Sequence, residues 1–256
     1  MNIIKKVQKT YRRFKGEKGV YGFTKLNAPL YYFCVKKTDK PVVLVQYSIH
    51  AREYITASLA LKQLEEFCLY GKRGTVYFLP LTNPDGVNIA LKNNKLYKAN
   101  ARGVDLNVNF DAKWGAGASN KHVKGDSDYI GEHPFSENET CALRDFTIKV
   151  KPDITVSYHA KGEEIYYEFF QDKKRKKRDL KIAKKLSYAT GYKIKSTLNS
   201  AGGYKDWCVE SLKIPSYTIE VGSDDLKHPI GYKHLKSIYE KNKNVITVLT
   251  NTKKYR

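Results

Sequence analysis

Residues 42 to 81 read VVLVQYSIHAREYITASLALKQLEEFCLYGKRGTVYFLPL, and the spacing of their apolar residues changes twice. Val42 to Ile49 is a nearly continuous apolar run rich in β-branched residues, the mark of a strand buried on both faces. From Tyr54 to Tyr70, Ala57, Leu61, Leu64 and Cys68 recur at alternating four- and three-residue steps, and Ala60 and Phe67 fall on the same face of a helix. Thr75 to Leu81 is again an apolar, β-branched and aromatic run. Strand, helix and strand in succession predict a βαβ unit and hence parallel strands.

Working outward, Tyr31 to Val35 reads as a further strand upstream. Downstream, Asn83-Pro84-Asp85-Gly86 is a turn signal, followed by a polar, irregular stretch to about Gly131 that is too long for a passive connection. Ser136 with Glu139 has the spacing of a capping box for a helix over Glu137 to Val150. Strands are expected at Ile154 to Tyr158, Glu164 to Phe170 and Ser216 to Val221, with helices at about Lys177 to Thr190 and Tyr232 to Asn251 and a turn at Gly202-Gly203. Alternating strands and helices without repeats or low-complexity linkers predict one three-layer α/β/α domain spanning residues 1–256.

With 41% hydrophobic and 12% aromatic residues the chain can close a sizeable core, which excludes global disorder. Lys and Arg number 47 against 26 Asp and Glu, a formal charge of +21 that raises the local concentration of anionic partners. The basic run Lys173-Lys174-Arg175-Lys176-Lys177-Arg178 has no aromatic stacking platform beside it, so it reads as a solvated helix start rather than a nucleic-acid patch. Cys34, Cys68, Cys141 and Cys208 are far apart and form no C-x-x-C pair, which fits free buried thiols. Lysines and arginines punctuate the first twenty residues, and no later segment is long and apolar enough to span a bilayer. The expectation is a cytoplasmic protein without a membrane partner.

In open α/β sheets, ligand sites lie beyond the carboxyl ends of the strands. Three polar groups stand at such ends: His50-Ala51-Arg52-Glu53, His159 and Glu220. An imidazole and a carboxylate spaced H-x-x-E at a strand-to-helix turn can converge on one ion, and a third ligand from a distant strand leaves a position open for water. H-x-x-E alone recurs by chance; His159 and Glu220 at matching strand ends make the constellation specific.

Ser48-Ile49-His50-Ala51-Arg52-Glu53-Tyr54 resembles the zinc-ligand segment of metallocarboxypeptidases of the carboxypeptidase A superfamily. The likeness continues, in that family's order, through Asn83 to Gly86, Gly103-Val104-Asp105-Leu106-Asn107, Ser157-Tyr158-His159, Ala201 to Trp207 and Thr218 to Gly222. Within the superfamily, the stretches Ala99 to Asn107, His159 to Tyr166 and Gly202 to Trp207 are similar to those of bacterial γ-D-glutamyl-diaminopimelate peptidases, which cleave peptidoglycan stem peptides.

The resemblance implies a mixed, largely parallel twisted sheet and one Zn²⁺ held by His50, Glu53 and His159, with Glu220 as general base. It places Asp105 where a carboxylate would orient His50, a role that competes with that of a plain turn residue. Val108 stands where the digestive enzymes carry a carboxylate-gripping arginine, and Leu198 where they carry a mobile tyrosine, so ordinary C-terminal selection is not implied. Lys98 or Arg102 would stabilise the oxyanion, Lys98 being preferred there and Arg102 for a substrate carboxylate. Arg52, Asn107, Gly203, Tyr204 and Lys205 are candidate substrate contacts; Arg52 reads equally as a structural ion pair, and the Gly203 segment also as a turn opening a helix. The expected substrate is an anionic muropeptide stem cut at the γ-D-glutamyl-diamino acid bond during cell wall turnover. The alternatives are a carboxypeptidase acting on other peptides or protein glutamyl chains, and a non-catalytic basic protein binding muropeptide or nucleic acid.

Overall fold

A computed structural model describes residues 2–125, 127–196 and 199–252. The expected βαβ unit is present as β3 (Val42–Tyr47), α2 (Ile55–Tyr70) and β4 (Thr75–Leu79), preceded by α1 (Ile3–Arg13), β1 (Glu17–Phe23) and β2 (Pro29–Lys36). Then come α3 (Pro84–Lys92), α4 (Asn138–Val150), β5 (Ile154–His159), β6 (Glu164–Tyr166), α5 (Lys173–Thr190), β7 (Lys193–Lys195), α6 (Tyr204–Glu210), β8 (Ser216–Glu220), α7 (Leu235–Asn242) and α8 (Val245–Thr250).

The strands form one sheet in the order β1-β2-β4-β3-β5-β8-β6-β7. The central strands β4, β3, β5 and β8 are parallel, while β1, β2 and β6 introduce antiparallel pairings. The expected mixed, largely parallel sheet is therefore what forms. Alternation along the strands divides the core. Val43, Val45, Tyr47, Ile154, Val156 and Tyr158 pack under α2, α5, α7 and α8, while Leu44 and Leu79 meet Phe110, Leu143, Phe146, Tyr204 and Trp207 on the opposite face. Both faces of β3 are buried, which is why its sequence does not alternate with polar residues.

Several boundaries differ from expectation for identifiable reasons. β3 stops at Tyr47 because Ser48 turns into the left-handed region at φ 52°. β6 ends at Tyr166, and Phe170 at φ 49° turns the chain toward α5 rather than extending the strand. Helix α4 has Glu137 at its N-cap without a side-chain cap, so the predicted capping box does not form. The Ser136 hydroxyl instead donates to Glu137 and accepts from Asn109. The closing helix is two helices, and Asn242 at the end of the first directs its amide to Ile238 O and the Tyr192 hydroxyl. Helix α5 begins at Lys173, and Asp172 caps it by accepting from Arg175 N at 2.9 Å.

The turn signal at Asn83 proves to start a helix, with Asn83 at the N-cap and Pro84 in the first turn. Asn83 Oδ1 accepts from Gly86 N at 3.0 Å, and its amide donates to Ile49 O and Ala99 O, each at 3.0 Å. A Cβ on Gly86 would stand 2.3 Å from Ala99 O, a backbone atom that cannot move without disturbing this clamp. Gly86→Ala is expected to destabilise the fold by about 1–3 kcal/mol through overpacking. Urea unfolding checks this through a lower midpoint at unchanged slope.

Candidate active site

Three parallel strands deliver the key residues to one edge of the sheet. β3 and β5 are in register at Tyr47 and Tyr158, and β5 pairs with β8 so that His159 lies directly opposite Glu220. His50 and Glu53 reach the same edge through a short 3-10 turn over Ala51–Glu53. That turn is fixed by hydroxyls where the strand ladder stops: Ser48 N donates to Thr56 Oγ1 at 2.9 Å, and Thr56 Oγ1 donates to Glu53 O at 2.8 Å. Ala51 N donates to Lys98 O at 2.9 Å, joining the turn to the segment beyond α3.

His50, Glu53 and His159 are buried, and one ligand atom from each lies within 4.8 Å of the others. His50 Nδ1 stands 2.9 Å from Glu53 Oε1 and 3.2 Å from His159 Nδ1, and His159 Nδ1 stands 3.3 Å from Glu53 Oε2. His50 Nε2 lies 3.1 Å from Asp105 Oδ1; donating there, a neutral His50 would present the lone pair of Nδ1 to an ion. Two imidazoles and a carboxylate thus aim at one point, a donor set suited to a tetrahedral divalent ion. Electrostatics agree. Burial alone would discharge His50, yet Glu53 and Asp105 together raise its imidazole to about 9, so this pocket favours positive charge. Burial lowers His159, which keeps it in the neutral form a ligand requires.

Glu220 beside His159 is partly exposed, and its carboxyl is raised well above the ordinary range, first by burial and then by the Glu53 charge. Such a group can accept and return a proton near neutrality. Asp105 is fully buried; burial would neutralise it, but Lys98 and His50 hold it ionised. The Lys98 ammonium lies 2.6 Å from Asp105 and 2.6 Å from Asp128. Asp128 belongs to the irregular stretch, which explains that stretch in part: it brings a carboxylate to the far side of Lys98.

The other expected contacts are distributed differently. Arg102 turns to the rim, 3.5 Å from Glu132 and 3.8 Å from Glu137. Asn107 is half-buried, its backbone N–H given to Asp105 at 2.9 Å. Gly203 gives its N–H to Asp206 at 3.1 Å, so that donor is used within α6 rather than offered outward. The Tyr204 ring lies in the core with its hydroxyl paired to Thr147, and Lys205 is buried against Asp206 and Glu168 O. Packing and internal pairing replace the side-chain contacts expected of these two. Leu198 lies outside the described residues.

Two residues near the centre were not anticipated. Asp128 had no motif to mark it. His228, eight positions after Glu220, is lowered by burial and is acted on by the charges of Glu53, Arg52, Lys161 and His50. The basic run on α5 lines a separate cavity of about 820 Å³ that contains none of the expected site residues. Two of its arginines are paired locally, Arg175 with Asp172 and Arg178 with Asp179. No helix among the described residues is long and apolar enough to cross a membrane.

Behind the site, Glu137 and Glu139 are buried around the Asn100 amide, which donates to Glu137 at 2.7 Å and to Glu139 at 3.4 Å. Burial, then the charges of Glu137 and Asp85, raise Glu139 to about 7. A carboxyl raised on folding favours the native state below its unfolded pKa, and that support is lost as pH climbs from about 4.5 through about 7. Glu139→Gln is therefore expected to add on the order of 2 kcal/mol at pH 8 and nothing at pH 4. Thermal unfolding of both proteins across that interval checks the sign.

A family model for zinc carboxypeptidase, Peptidase M14, matches residues 13–244. The chain belongs to this family. A curated relative of this zinc carboxypeptidase, gamma-D-glutamyl-L-diamino acid endopeptidase 1 of Lysinibacillus sphaericus, is 29% identical over 276 residues, covering 94% of this chain and 68% of the relative. Among solved structures, bovine thrombin-activatable fibrinolysis inhibitor in complex with tick carboxypeptidase inhibitor superposes with a TM-score of 0.82 at 23% identity, covering 97% of this chain and 95% of that one. Murein-tripeptide amidase MpaA from Escherichia coli O157 gives 0.68 at 23% identity, covering 96% of each chain. These structures share the fold. As an M14 carboxypeptidase the protein is a zinc-dependent metallopeptidase, and its His50, Glu53 and His159 can hold a metal ion.

Proposed function

We propose that this carboxypeptidase hydrolyses peptidoglycan stem peptides at the amide between the γ-carboxyl of D-Glu and a diamino acid such as meso-diaminopimelate. Residues 1–256 would act as one catalytic domain, loaded with one zinc ion on His50 Nδ1, Glu53 and His159 Nδ1. The observation that carries the reading is the convergence of those three ligands with Glu220 directly across from His159. The name of the Lysinibacillus relative supports the choice of bond, as does Val108 in the place of an arginine that would grip a terminal carboxylate.

A zinc ion held by His50, Glu53 and His159 would supply Lewis acidity toward water and the substrate carbonyl. Glu220 removes the proton from the attacking water and returns it to the departing amine, a task that fits its raised carboxyl. Asp105 fixes the His50 tautomer by accepting from Nε2. Lys98, paired to Asp105 and adjacent to the ligands, is the cation assigned to the developing oxyanion. Arg102, at the rim, is assigned to a substrate carboxylate.

Zinc-loaded protein incubated with L-Ala-γ-D-Glu-meso-diaminopimelate and its tetrapeptide extension tests this directly. The expected products, identified by mass, are L-Ala-D-Glu and the diamino-acid fragment. Release of only the last residue of the tetrapeptide would instead establish ordinary carboxypeptidase action.

A further inference from the structure

Beyond Glu220, on the side away from the metal ligands, the sheet carries a second set of charges. The strands run β5, β8, β6, β7 in that order, and His159 is paired with Glu220, Glu220 with Glu164. Residues paired across neighbouring strands point to the same face, so His159, Glu220 and Glu164 form a row whose steps are about 4.8 Å. Two positions along, Tyr166 is paired with Thr218 on one side and with Lys195 on the other. The intervening Ile165 and Ile219 turn to the opposite face and are buried in the core there. Glu164, Tyr166, Thr218 and Glu220 are only half-buried, so this block of polar side chains opens directly beside Glu220.

The Glu164 carboxylate is turned back toward the ligand segment. A Cβ on Gly162, three residues after His159, would stand 3.3 Å from Glu164 Cγ and 3.4 Å from Oε2. The Tyr166 hydroxyl donates to that same Oε2. Lys195 Nζ lies 3.5 Å from Glu164 Oε1, with the two side chains 51% and 19% exposed, which makes this a long, solvent-screened ion pair that little holds together. The charge of Glu164 acts on Glu220, and the charges of both act on the Tyr166 hydroxyl, so the carboxylates share one recess.

We propose that Glu164 and Lys195 form the receptor for the distal end of the diamino acid, Glu164 taking its ammonium and Lys195 its carboxylate. The inference rests on the γ-D-glutamyl reading of the substrate. Glu220 returns its proton to the departing amine, which puts that nitrogen at Glu220 and the diamino acid beyond it, away from the metal ligands. In meso-diaminopimelate the distal chiral carbon is five bonds from that nitrogen, about 6 Å in an extended chain. That reach carries it from β8 past β6 toward β7, where the two side chains stand. The carbon bears an ammonium and a carboxylate together. Parting the loose Glu164–Lys195 pair around it gives each of the four charges an opposite partner. L-Lysine in the same place brings the ammonium without the carboxylate and leaves Lys195 unmatched. The recess thereby selects meso-diaminopimelate over L-lysine.

The test compares three stems on zinc-loaded full chain: L-Ala-γ-D-Glu-meso-diaminopimelate, the same peptide acetylated on the distal amine, and the same peptide amidated at the distal carboxyl. Wild-type kcat/KM is expected to fall by about tenfold for each modified stem, the range of one charge-assisted contact. Glu164→Gln should lower the unmodified stem by about tenfold, mainly through KM, and erase the discrimination against the acetylated stem alone. Lys195→Met should do the same for the amidated stem alone, and Lys195→Arg, which keeps the charge, should retain the wild-type preference. Zinc content equal to wild type in each variant separates these effects from misfolding. Equal cleavage of all three stems by wild type would overturn the inference while leaving the cleaved bond as proposed. So would preferences that survive in the zinc-loaded Glu164→Gln and Lys195→Met proteins, or a loss in Glu164→Gln that falls on every stem alike, as an effect acting only through Glu220 would. Failure of wild type to cut any of the stems would overturn the substrate reading, and this inference with it.

Discussion

Glu220→Gln is expected to retain zinc as wild type does and to lose hydrolysis of the stem peptide by about 10²- to 10⁴-fold. Glu220 is set opposite His159 by sheet register, and in the proposed reaction its side chain takes and returns the proton. Glutamine preserves shape and one acceptor but cannot take a proton. The loss should therefore appear in kcat and kcat/KM together, with KM little altered. The pH profile supplies a second readout. Because burial and Glu53 raise the Glu220 carboxyl, the acid limb of kcat/KM in the wild type should lie above the usual carboxylate range. Full activity in metal-loaded Glu220→Gln would remove Glu220 from the role of base.

Asp105→Asn is expected to weaken zinc binding by about 10- to 100-fold. Asp105 accepts from His50 Nε2 and neutralises Lys98, so its charge serves two neighbours at once. The amide can still contact His50, yet it cannot stabilise the donor tautomer equally well, and it leaves Lys98 with Asp128 alone. Isothermal titration of zinc into apo protein reads the first effect. A thermal melt without metal reads the second, and a drop there together with unchanged zinc affinity would reduce Asp105 to a structural ion pair.

The legible part of the fold was the part whose sequence is periodic. Val42 to Leu81 announces strand, helix and strand because β3 is buried on both faces and α2 along much of its surface. β1 escaped notice because Glu17–Phe23 is largely half-exposed at the sheet edge and contains Gly19 and Gly22. α1 did so because basic residues dominate it and only Ile3 and Val7 are buried. α3 was hidden by Pro84 and Gly86, which mark turns as readily as helix starts.

In the site, His50, Glu53, His159 and Glu220 were legible because each follows or ends an apolar run, and strand ends converge in a parallel sheet. Partners that depend on the path of an irregular chain were not. Asp128 reaches Lys98 from an irregular segment that no periodicity marks, and His228, in the loop after β8, feels the charges of Glu53 and His50 although nothing in its sequence neighbourhood announces it. Tyr204 shows the opposite error: motif position suggested a contact, but an aromatic residue in the first turn of α6 is drawn into the core by Phe110 and Trp207.

Two imidazoles and a carboxylate from separate segments enclosing one divalent ion is the claim on which the rest depends. Metal-stripped protein titrated with zinc measures it most directly. Wild type is expected to take up one equivalent tightly, and His159→Ala to lose most of that affinity while remaining folded. A wild-type protein that takes up no zinc, or a His159→Ala protein that binds as tightly as wild type, would contradict the account.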